Sequence, residues 1–402
     1  MEDWKEYRLG EMIQCNPQVK LEKGKAYNLI DIDSIEIGSR YVKGKELTEY
    51  DGQSGCHFQN GDTVMARITP CLENGKIAQV QCESQKGFGS TELFVFRGAE
   101  NKTDTDYVFN LMSMQVIRNL AANSMTGASG RQRADLGFIK RIKWNFPPLR
   151  TQQKIASILS AYDNLIQNYK KQIEALQTAA SELYKEWFVR FRFPGYQTAE
   201  FENGIPEGWK IERIGNIGEV IGGGTPSTEN EEYWDGDIPW LSPVDLSDNT
   251  NVYVSRGGKN ITKLGLQKSS AKMMPKDTVL LSSRAPVGYV ALAKNPICTN
   301  QGFKSVVCNT SVIQPIYLYF YFRMNKNYLQ SITSGATFPE LSGSMMKKLK
   351  VLLPQMELQK EFSKKANIFI SKAELLSEQI TNLTQQRDLL LPRLMRGALE
   401  VH

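Results

Sequence analysis

The residue types that most often build catalytic and metal sites are scarce in this chain. His57 and His402 are its only histidines, so no Ser/His/Asp set can be drawn with conviction. The six cysteines form no C-x-x-C pair, and Cys56-His57 with Cys71 lacks zinc-ligand spacing. The sequence therefore predicts no catalytic residue, no metal site and no cofactor, and its cysteines are expected to be reduced thiols.

Nucleotide-binding and methyl-transfer motifs are also missing. The chain contains neither G-x-G-x-x-G nor G-x-x-x-x-G-K-[ST]. Gly222-Gly223-Gly224 is followed by Thr-Pro, which favours a turn over a phosphate-binding loop. In Asn145-Phe146-Pro147-Pro148-Leu149 a Phe interrupts the Asn-Pro-Pro motif of adenine methyltransferases, and no aromatic residue closes it. A fused nuclease-methyltransferase is excluded on these grounds.

Long apolar runs and a strong charge of one sign are absent too. No apolar stretch approaches the ~18 residues of a membrane span, and the first residues, Met-Glu-Asp-Trp-Lys, lack the pattern of a secretory signal. We therefore expect a soluble cytoplasmic protein with no membrane partner. Lys and Arg number 49 against 43 Asp and Glu, a net charge of +6 that is compatible with phosphate binding without proving it.

The chain contains an internal repeat, in which the pattern of residues 1–189 recurs in outline in residues 206–396. Trp4-Lys5 corresponds to Trp209-Lys210, Asp62-Thr63-Val64 to Asp277-Thr278-Val279, Tyr107 to Tyr317, and Gly127-Ala128-Ser129 to Gly335-Ala336-Thr337. From Lys140 onward the offset is constant at 207, which pairs Pro147 with Pro354 and Gln152 with Gln359. Each half thus combines a shared structural end with a separately diversified body.

Two long helices are the clearest local prediction. Apolar or small residues alternate steps of four and three from Ile155 to Trp187, and again from Phe362 to Leu394. Arg387 alone breaks the second stripe, and Pro392 is expected to kink or restart that helix. Such a stripe indicates packing rather than a binding site.

The bodies mix short strands with turns and helices. Strands are predicted at Thr63–Ala66, Leu93–Phe96 and Tyr289–Leu292, with a helix around Tyr107 to Leu120 and another around Ile316 to Leu329. The fold class is α+β, two tandem mixed domains joined by two long helices. The predicted segments are a first recognition domain (1–150), a spacer helix (151–190), a linker (191–205), a second recognition domain (206–354) and a second spacer helix (355–402).

The order of these segments predicts the architecture. The second helix starts at the second body, so it can pair with the first helix only by running antiparallel, which creates a pseudo-two-fold axis. Ile155 to Trp187 would span roughly 50 Å at ~1.5 Å per residue. That length can separate two DNA-reading bodies by one turn of DNA, ~34 Å.

The chain resembles the specificity subunits of Type I restriction-modification enzymes. Phe146 to Ile155 resembles their Pro-Pro-Leu-x-Glu-Gln-x-x-Ile start of the first spacer helix, with Thr151 in place of the Glu. Gly222-Gly223-Gly224-Thr225-Pro226, Tyr233-Trp234 and Ile238-Pro239-Trp240 resemble the recognition-domain signature, which the first half lacks. The ends of both helices, Leu183 to Phe188 and Leu391 to Gly397, also look like that family.

The resemblance implies a non-catalytic subunit that reads a bipartite target in double-stranded DNA, one half-site per body. It also implies docking of two adenine methyltransferase subunits and of restriction/translocase subunits. The alternative is a tandem scaffold whose bodies bind protein or carbohydrate.

DNA-contacting residues are sought in the loops of each body, among side chains suited to base edges or phosphates. The opposing interpretation is a solvated basic loop, or turn residues at strand ends in the case of Asn300 and Gln301. The candidates are Arg67, Thr69, Lys76, Arg131, Gln132 and Arg133 in the first body, and Ser283, Arg284, Asn300, Gln301 and Lys304 in the second.

Overall fold

A computed structural model describes residues 3–127, 132–247, 251–333 and 340–401. The chain divides into two units. The first comprises residues 1–169 and 379–402, and the second comprises residues 170–378. Each unit therefore contains one body together with parts of both long helices.

Within residues 3–127 and 132–146, the body of the first unit has eleven strands and four short helices. They are β1 (Lys5–Arg8), α1 (Leu9–Met12), β2 (Ile13–Cys15), β3 (Ala26–Ile30), β4 (Tyr41–Val42), β5 (Leu47–Glu49), β6 (Cys56–Gln59), β7 (Thr63–Ala66), β8 (Ile77–Val80), β9 (Lys86–Gly89), β10 (Leu93–Gly98), α2 (Thr105–Ser113), α3 (Gln115–Asn123), α4 (Leu136–Arg141) and β11 (Lys143–Phe146). The first long helix, α5 (Leu149–Phe188), follows at once.

The elements of the second unit repeat this order with insertions. They are β12 (Phe201–Glu202), β13 (Ile205–Pro206), β14 (Lys210–Arg213), α6 (Ile214–Ile217), β15 (Gly218–Gly222), β16 (Trp234–Leu241), β17 (Tyr253–Val254), β18 (Lys259–Ile261), α7 (Lys263–Gln267), β19 (Val279–Leu281), β20 (Val290–Ala293), β21 (Cys298–Thr299), β22 (Lys304–Cys308), α8 (Pro315–Met324), α9 (Lys326–Ser331), α10 (Gly343–Lys348) and β23 (Lys350–Leu353). The second long helix is α11 (Met356–Met395).

The same five-stranded sheet lies in both bodies. Its strand order is β2-β10-β7-β8-β4 in the first unit and β15-β22-β19-β20-β17 in the second. A two-stranded ribbon closes each body, β1 with β11 and β14 with β23. The bodies differ in their second sheets, which have four strands (β5-β3-β9-β6) and three (β18-β16-β21). The α+β fold class and the internal repeat are confirmed.

The strand register corrects one match made from the sequence. The Val80 N–H donates to the Asp62 carbonyl at 2.8 Å, and the Ala293 N–H donates to the Thr278 carbonyl at 3.0 Å. Asp62 therefore corresponds to Thr278 rather than to Asp277. The similarity of two Asp-Thr-Val runs hid a shift of one residue, which exchanges the two faces of a strand.

Each of the two helices predicted in the bodies is interrupted, so that it forms two shorter helices. The first breaks between α2 and α3 at Met114, whose backbone is extended (φ −62°, ψ 133°). The second breaks between α8 and α9 at Asn325. An apolar stripe continues across each break, so hydrophobic periodicity alone does not locate it.

The long helices pack on each other within each unit. In the second unit the Trp187 and Phe362 rings lie 6.1 Å apart, and Ala180 and Ile370 line one small cavity, so α5 and α11 run antiparallel there. In the first unit Asp163 on α5 binds Arg387 on α11. Of the two expectations for Pro392, a kink or a restart of the helix, the restart is wrong, because α11 continues through Pro392 to Met395.

Each unit has its own apolar core. In the second unit the seam of α5 and α11 joins body residues, with Tyr184 and Phe188 packed against Tyr317. The segment predicted as a linker belongs to this core, because the ring of Phe193 lies 5.3 Å from that of Trp209. In the first unit, Leu159 and Leu394 share a core with α2. The long helices are thus structural parts of both units.

Candidate nucleic-acid interface

In the first body, four of the predicted residues meet where the chain leaves β7. The Arg67 N–H donates to the Glu92 carbonyl at 2.9 Å, and the Arg67 carbonyl accepts from Ala134 at 2.8 Å. The Thr69 N–H donates to the Gln132 carbonyl at 3.1 Å, and the Gln132 N–H donates to Thr69 Oγ1 at 3.2 Å. This ladder holds Arg67, Thr69, Gln132 and Arg133 side by side, and we call it the first ladder.

The two arginines of the first ladder are held differently. Arg133 donates to both carboxylate oxygens of Glu92, with Nη2 to Oε1 at 2.6 Å, and 46% of its side chain remains exposed. Its hydrogen bond lowers the pKa of Glu92. Arg67 lies over the Phe94 ring at 4.9 Å, and no described acceptor reaches its buried Nε. A fixed exposed guanidinium and an unsatisfied buried donor are groups that a base edge or phosphate can use.

Arg67 also lines a groove of about 500 Å³ in the first unit. Asn16, Gln18 and Lys20 line the same groove. These are polar residues that the sequence argument missed, because they lie about fifty positions before Arg67 and share no pattern with it.

The second body contains the same backbone ladder. The Ser283 N–H donates to the Gly302 carbonyl at 2.7 Å, and the Leu341 N–H donates to the Ser283 carbonyl at 2.8 Å. Arg284 and Glu340 form an antiparallel β-bridge through their main chains, as Ile68 and Arg133 do in the first body. We call this the second ladder; it places Ser283 at the position of Arg67 and Glu340 at the position of Arg133.

The side chains of the second ladder are different. Glu340 forms an ion pair with Arg284, Nε to Oε2 at 3.2 Å, and accepts a hydrogen bond from Lys304 Nζ at 3.4 Å. Gln301 accepts from the Thr225 hydroxyl, within the Gly-Gly-Gly-Thr-Pro segment. The carboxylate that replaces Arg133 thus gathers two cations, so the two ladders present different donors and acceptors.

Several predicted residues have other roles or lie elsewhere. Lys76 Nζ donates to the Ile32 carbonyl at 2.9 Å. Asn300 Oδ1 accepts from the Gly302 N–H at 2.9 Å, which is the strand-end turn considered as its alternative. Ser283 is 0% exposed, so a direct DNA contact by its side chain does not fit its burial. Arg131 lies outside the described residues, as do residues 128–129 and 335–337 of the matched glycine-led segments.

Three features of the described residues concern metal binding, membrane crossing and thiol reactivity. Over residues 3–127, 132–247, 251–333 and 340–401, no group of three His, Cys, Asp or Glu residues could hold a metal ion. In those ranges no helix is long and apolar enough to cross a bilayer. All six cysteines are free, and burial raises the pKa of Cys56 and of Cys308 to about 12.

Comparison with known proteins places both halves in one family. The family profile described as the Type I restriction modification DNA specificity domain matches residues 1–178 and 206–385. The Type I restriction enzyme HindI specificity subunit of Haemophilus influenzae is 24% identical across 99% of this chain and 100% of that protein.

Two further comparisons cover part of a relative and a solved fold. The Type I restriction enzyme MjaIX specificity subunit of Methanocaldococcus jannaschii is 47% identical over 161 residues, which span 40% of this chain and 37% of that protein. The crystal structure of a Type-I restriction-modification system S subunit from M. genitalium superposes with a TM-score of 0.59 at 15% identity, covering 97% of this chain and 96% of that one.

Proposed function

Because the chain belongs to the family of Type I restriction-modification specificity subunits, we propose that it reads a bipartite site in double-stranded DNA, one half-site per body. The supporting observation is the pair of ladders. They share one backbone frame but carry Arg67 and Arg133 in the first body against Ser283 and Glu340 in the second. A constant frame with different polar groups suits two readers of different sequences.

We propose that Arg133 and Arg67 make the base or phosphate contacts of the first body, together with Thr69, Gln132 and Arg131. In the second body the corresponding groups are Arg284, Gln301 and Lys304. Lys76 and Asn300 would then act indirectly, by holding the neighbouring loops.

The chain is proposed to contribute recognition and no chemistry. It would dock two adenine methyltransferase subunits and the restriction/translocase subunits, in keeping with its internal repeat. We expect the purified chain alone neither to methylate nor to cut DNA; methyl transfer by the isolated chain would contradict this role.

The binding test compares the two bodies with matched variants. The complex with methyltransferase is titrated with duplex DNA over a range of salt, using Arg133→Gln for the first ladder and Arg284→Gln for the second. A lost base contact should weaken binding to one half-site by ~1–3 kcal/mol, and a lost phosphate contact should also lower the salt slope by ~1. Unchanged affinity and slope in both variants would leave both loops as solvated surface, and binding insensitive to salt would favour the protein- or carbohydrate-binding scaffold.

The spacing test concerns the long helices. One heptad inserted after Leu176 and one after Leu383 preserves the seam and lengthens each helix by ~10 Å. Mapped methylation sites should keep both half-site sequences while the gap grows by ~2–4 base pairs, since DNA rises ~3.4 Å per pair. An insertion of five residues is the control, because it misaligns the seam. Efficient methylation at the original spacing by a folded heptad variant would refute the helices' role as a ruler.

A further inference from the structure

The first unit contains a cavity of about 420 Å³ whose lining includes no residue of the first ladder. Its walls come from residues 37–40 before β4, from α2 and α3, from Asp163 on α5, and from the last turns of α11 together with Arg396, which follows that helix. A cavity of this size falls in the range of ~300–1,000 Å³ that is typical of small-molecule sites.

The internal repeat supplies a comparison for this cavity. The Gln79 N–H donates to the Arg40 carbonyl as the Leu292 N–H donates to the Val252 carbonyl. Gln152 and Gln359 cap α2 and α8 in the same way, which fixes the alignment of these helices. Five positions then correspond: Arg40 with Val252, Gln79 with Leu292, Asn110 with Phe320, Asp163 with Ile370, and Arg387 with Ala180.

All five positions are apolar and buried in the second unit, where they belong to one core cluster. Phe320, which is 1% exposed, fills the space there, and only a cavity of about 10 Å³ remains beside it. In the first unit the same five positions are polar or charged, and Asn110 leaves the space open. The same backbone frame thus holds a closed core in one unit and a polar cavity in the other.

Four guanidiniums but only two carboxylates line the cavity over the described residues. Both carboxylates are bound already: Asp163 pairs with Arg40 at 3.2 Å and with Arg387 at 2.7 Å, and Asp388 pairs with Arg387 at 2.8 Å. Arg118 donates to the neutral Ser113 carbonyl and Gln115 amide oxygen, and neither it nor Arg396 has a described carboxylate within ion-pair distance, so the charge of each is left without a counterion. Burial lowers the pKa of Arg118, a sign that its guanidinium has lost part of its hydration.

Asn110 provides the second, independent observation. Its side chain is 3% exposed and lines the cavity, and no acceptor among the described residues reaches its Nδ2. A buried donor without an acceptor costs free energy that an acceptor-rich ligand recovers. Phe109, Met114, Val116 and Leu391 supply apolar wall beside these donors.

We propose that this cavity is a binding site for a small organic anion, a molecule with a phosphate or carboxylate group and an apolar or planar body. Arg118 and Arg396 bind the anionic group, Asn110 donates to a further acceptor, and the apolar wall covers the remainder. Because the site joins α2 and α3 to the end of α11, its ligand connects the body to the helix pair within the first unit.

The test uses the full chain in complex with its methyltransferase partner, in buffer free of phosphate and carboxylate. Calorimetric titration compares AMP and benzoate, which carry a phosphate and a carboxylate on a planar body, with uncharged adenosine and inorganic phosphate. Saturable binding of AMP or benzoate is expected, with adenosine and inorganic phosphate at least tenfold weaker. No saturable binding of either organic anion overturns the proposal.

Matched variants locate the site. Arg118→Gln and Arg396→Gln should each weaken binding about tenfold or more, since each removes a charge-assisted hydrogen bond. Arg393→Gln is the control, an exposed arginine in the last turn of α11, three residues before Arg396, that does not line the cavity, and it should bind as the parent does. Asn110→Phe copies the second unit and should abolish binding while the protein stays folded.

Two results with the variants would overturn the assignment of the ligand to this cavity. One is unchanged binding by Asn110→Phe, which would place the ligand elsewhere. The other is an equal loss in Arg393→Gln and Arg396→Gln, which would show general charge attraction. If the organic anions fail but methyltransferase binding alone protects the cavity from hydrogen exchange, a partner protein occupies it and the small-molecule proposal is wrong.

Discussion

Replacing Asp163 by Ile, the residue at its corresponding position, should strongly destabilise the first unit. The Asp163 carboxylate is 4% exposed and binds two arginines, Arg40 at 3.2 Å and Arg387 at 2.7 Å. The Arg40 side chain is itself 1% exposed, so it cannot turn to water when Asp163 is removed. Asp163→Ile therefore leaves a buried cation with half of its charge partners.

The structure sets the size of this effect. Breaking a buried ion pair by removing one partner costs about 3–5 kcal/mol. Asp106 remains 3.0 Å from Arg40, and Gln79 Oε1 still accepts from it, so we expect the lower end, about 3 kcal/mol. In a unit of this size ~1 kcal/mol shifts Tm by roughly 2–4 °C, which predicts a fall of roughly 6–12 °C.

The matched variant replaces the whole charged set by its counterparts. Arg40→Val, Gln79→Leu, Asn110→Phe, Asp163→Ile and Arg387→Ala together copy the second unit, where the ring of Phe320 fills the space that the smaller side chains leave. Well-packed apolar residues often replace buried ion pairs without loss of stability. We expect this variant to recover most of the stability lost in Asp163→Ile.

Hydrogen exchange in α2 and in the second unit, followed with guanidinium unfolding, separates the two units where one Tm would not. Destabilisation should be confined to the first unit. A fall of less than about 2 °C in Asp163→Ile, or a fivefold variant no more stable than the single one, would contradict a stabilising role for the Asp163 ion pairs.

Three further predictions rest on single contacts. Gln152→Ala and Gln359→Ala should each lower the free energy of unfolding of their own unit by ~1–3 kcal/mol, measured by guanidinium unfolding. Each buried amide caps a body helix and also binds the proline carbonyl before its long helix. Destabilisation of the other unit would contradict this prediction. Glu92→Gln removes the charge partner of Arg133, so it should raise non-specific DNA affinity and reduce the affinity difference between correct and incorrect bases at one half-site. The Arg133 hydrogen bond lowers the pKa of Glu92. The stabilisation that this pair provides is therefore present above the usual Glu pKa of ~4.3 and is lost only as pH falls below that value. Burial raises the pKa of Cys56 to about 12, so native protein at pH 8 should react with a thiol reagent far more slowly there than unfolded protein; equal rates would disprove it.

The parts of the fold that the sequence predicted are those governed by local periodicity. The long helices begin at Leu149 and Met356, within two residues of the predicted starts, because their apolar stripe repeats over many turns. The strand at Thr63–Ala66 has the predicted bounds, since its side chains are buried on both faces. The break at Met114 was missed because one extended residue inside an apolar segment leaves no compositional signal.

Long-range polar contacts were beyond sequence reasoning for a different reason. Arg387 was visible as a break in the seam, but Asp163, its partner, lies 224 positions earlier and follows no repeat. Arg40 comes from a loop whose position is fixed only by the pairing of β4 with β8. In the candidate interface, likewise, the sequence indicated Arg67 and Arg133 but gave no sign that Glu92 lies between them.

The duplicated frame explains why the bodies share their strand order while their functional groups differ. Main-chain hydrogen bonds, such as those of Arg67 and Ser283, depend little on the side chain, so both ladders keep the same geometry. Interior positions are more constrained, because a buried charge requires a charged partner. Arg40 without Asp163 would destabilise the first unit, and a charge placed beside the apolar Ile370 would destabilise the second. The five interior residues therefore depend on one another, whereas each ladder side chain can be replaced without loss of the main-chain hydrogen bonds. On the proposed function, the side chains that contact DNA could change while the fold of the body is kept.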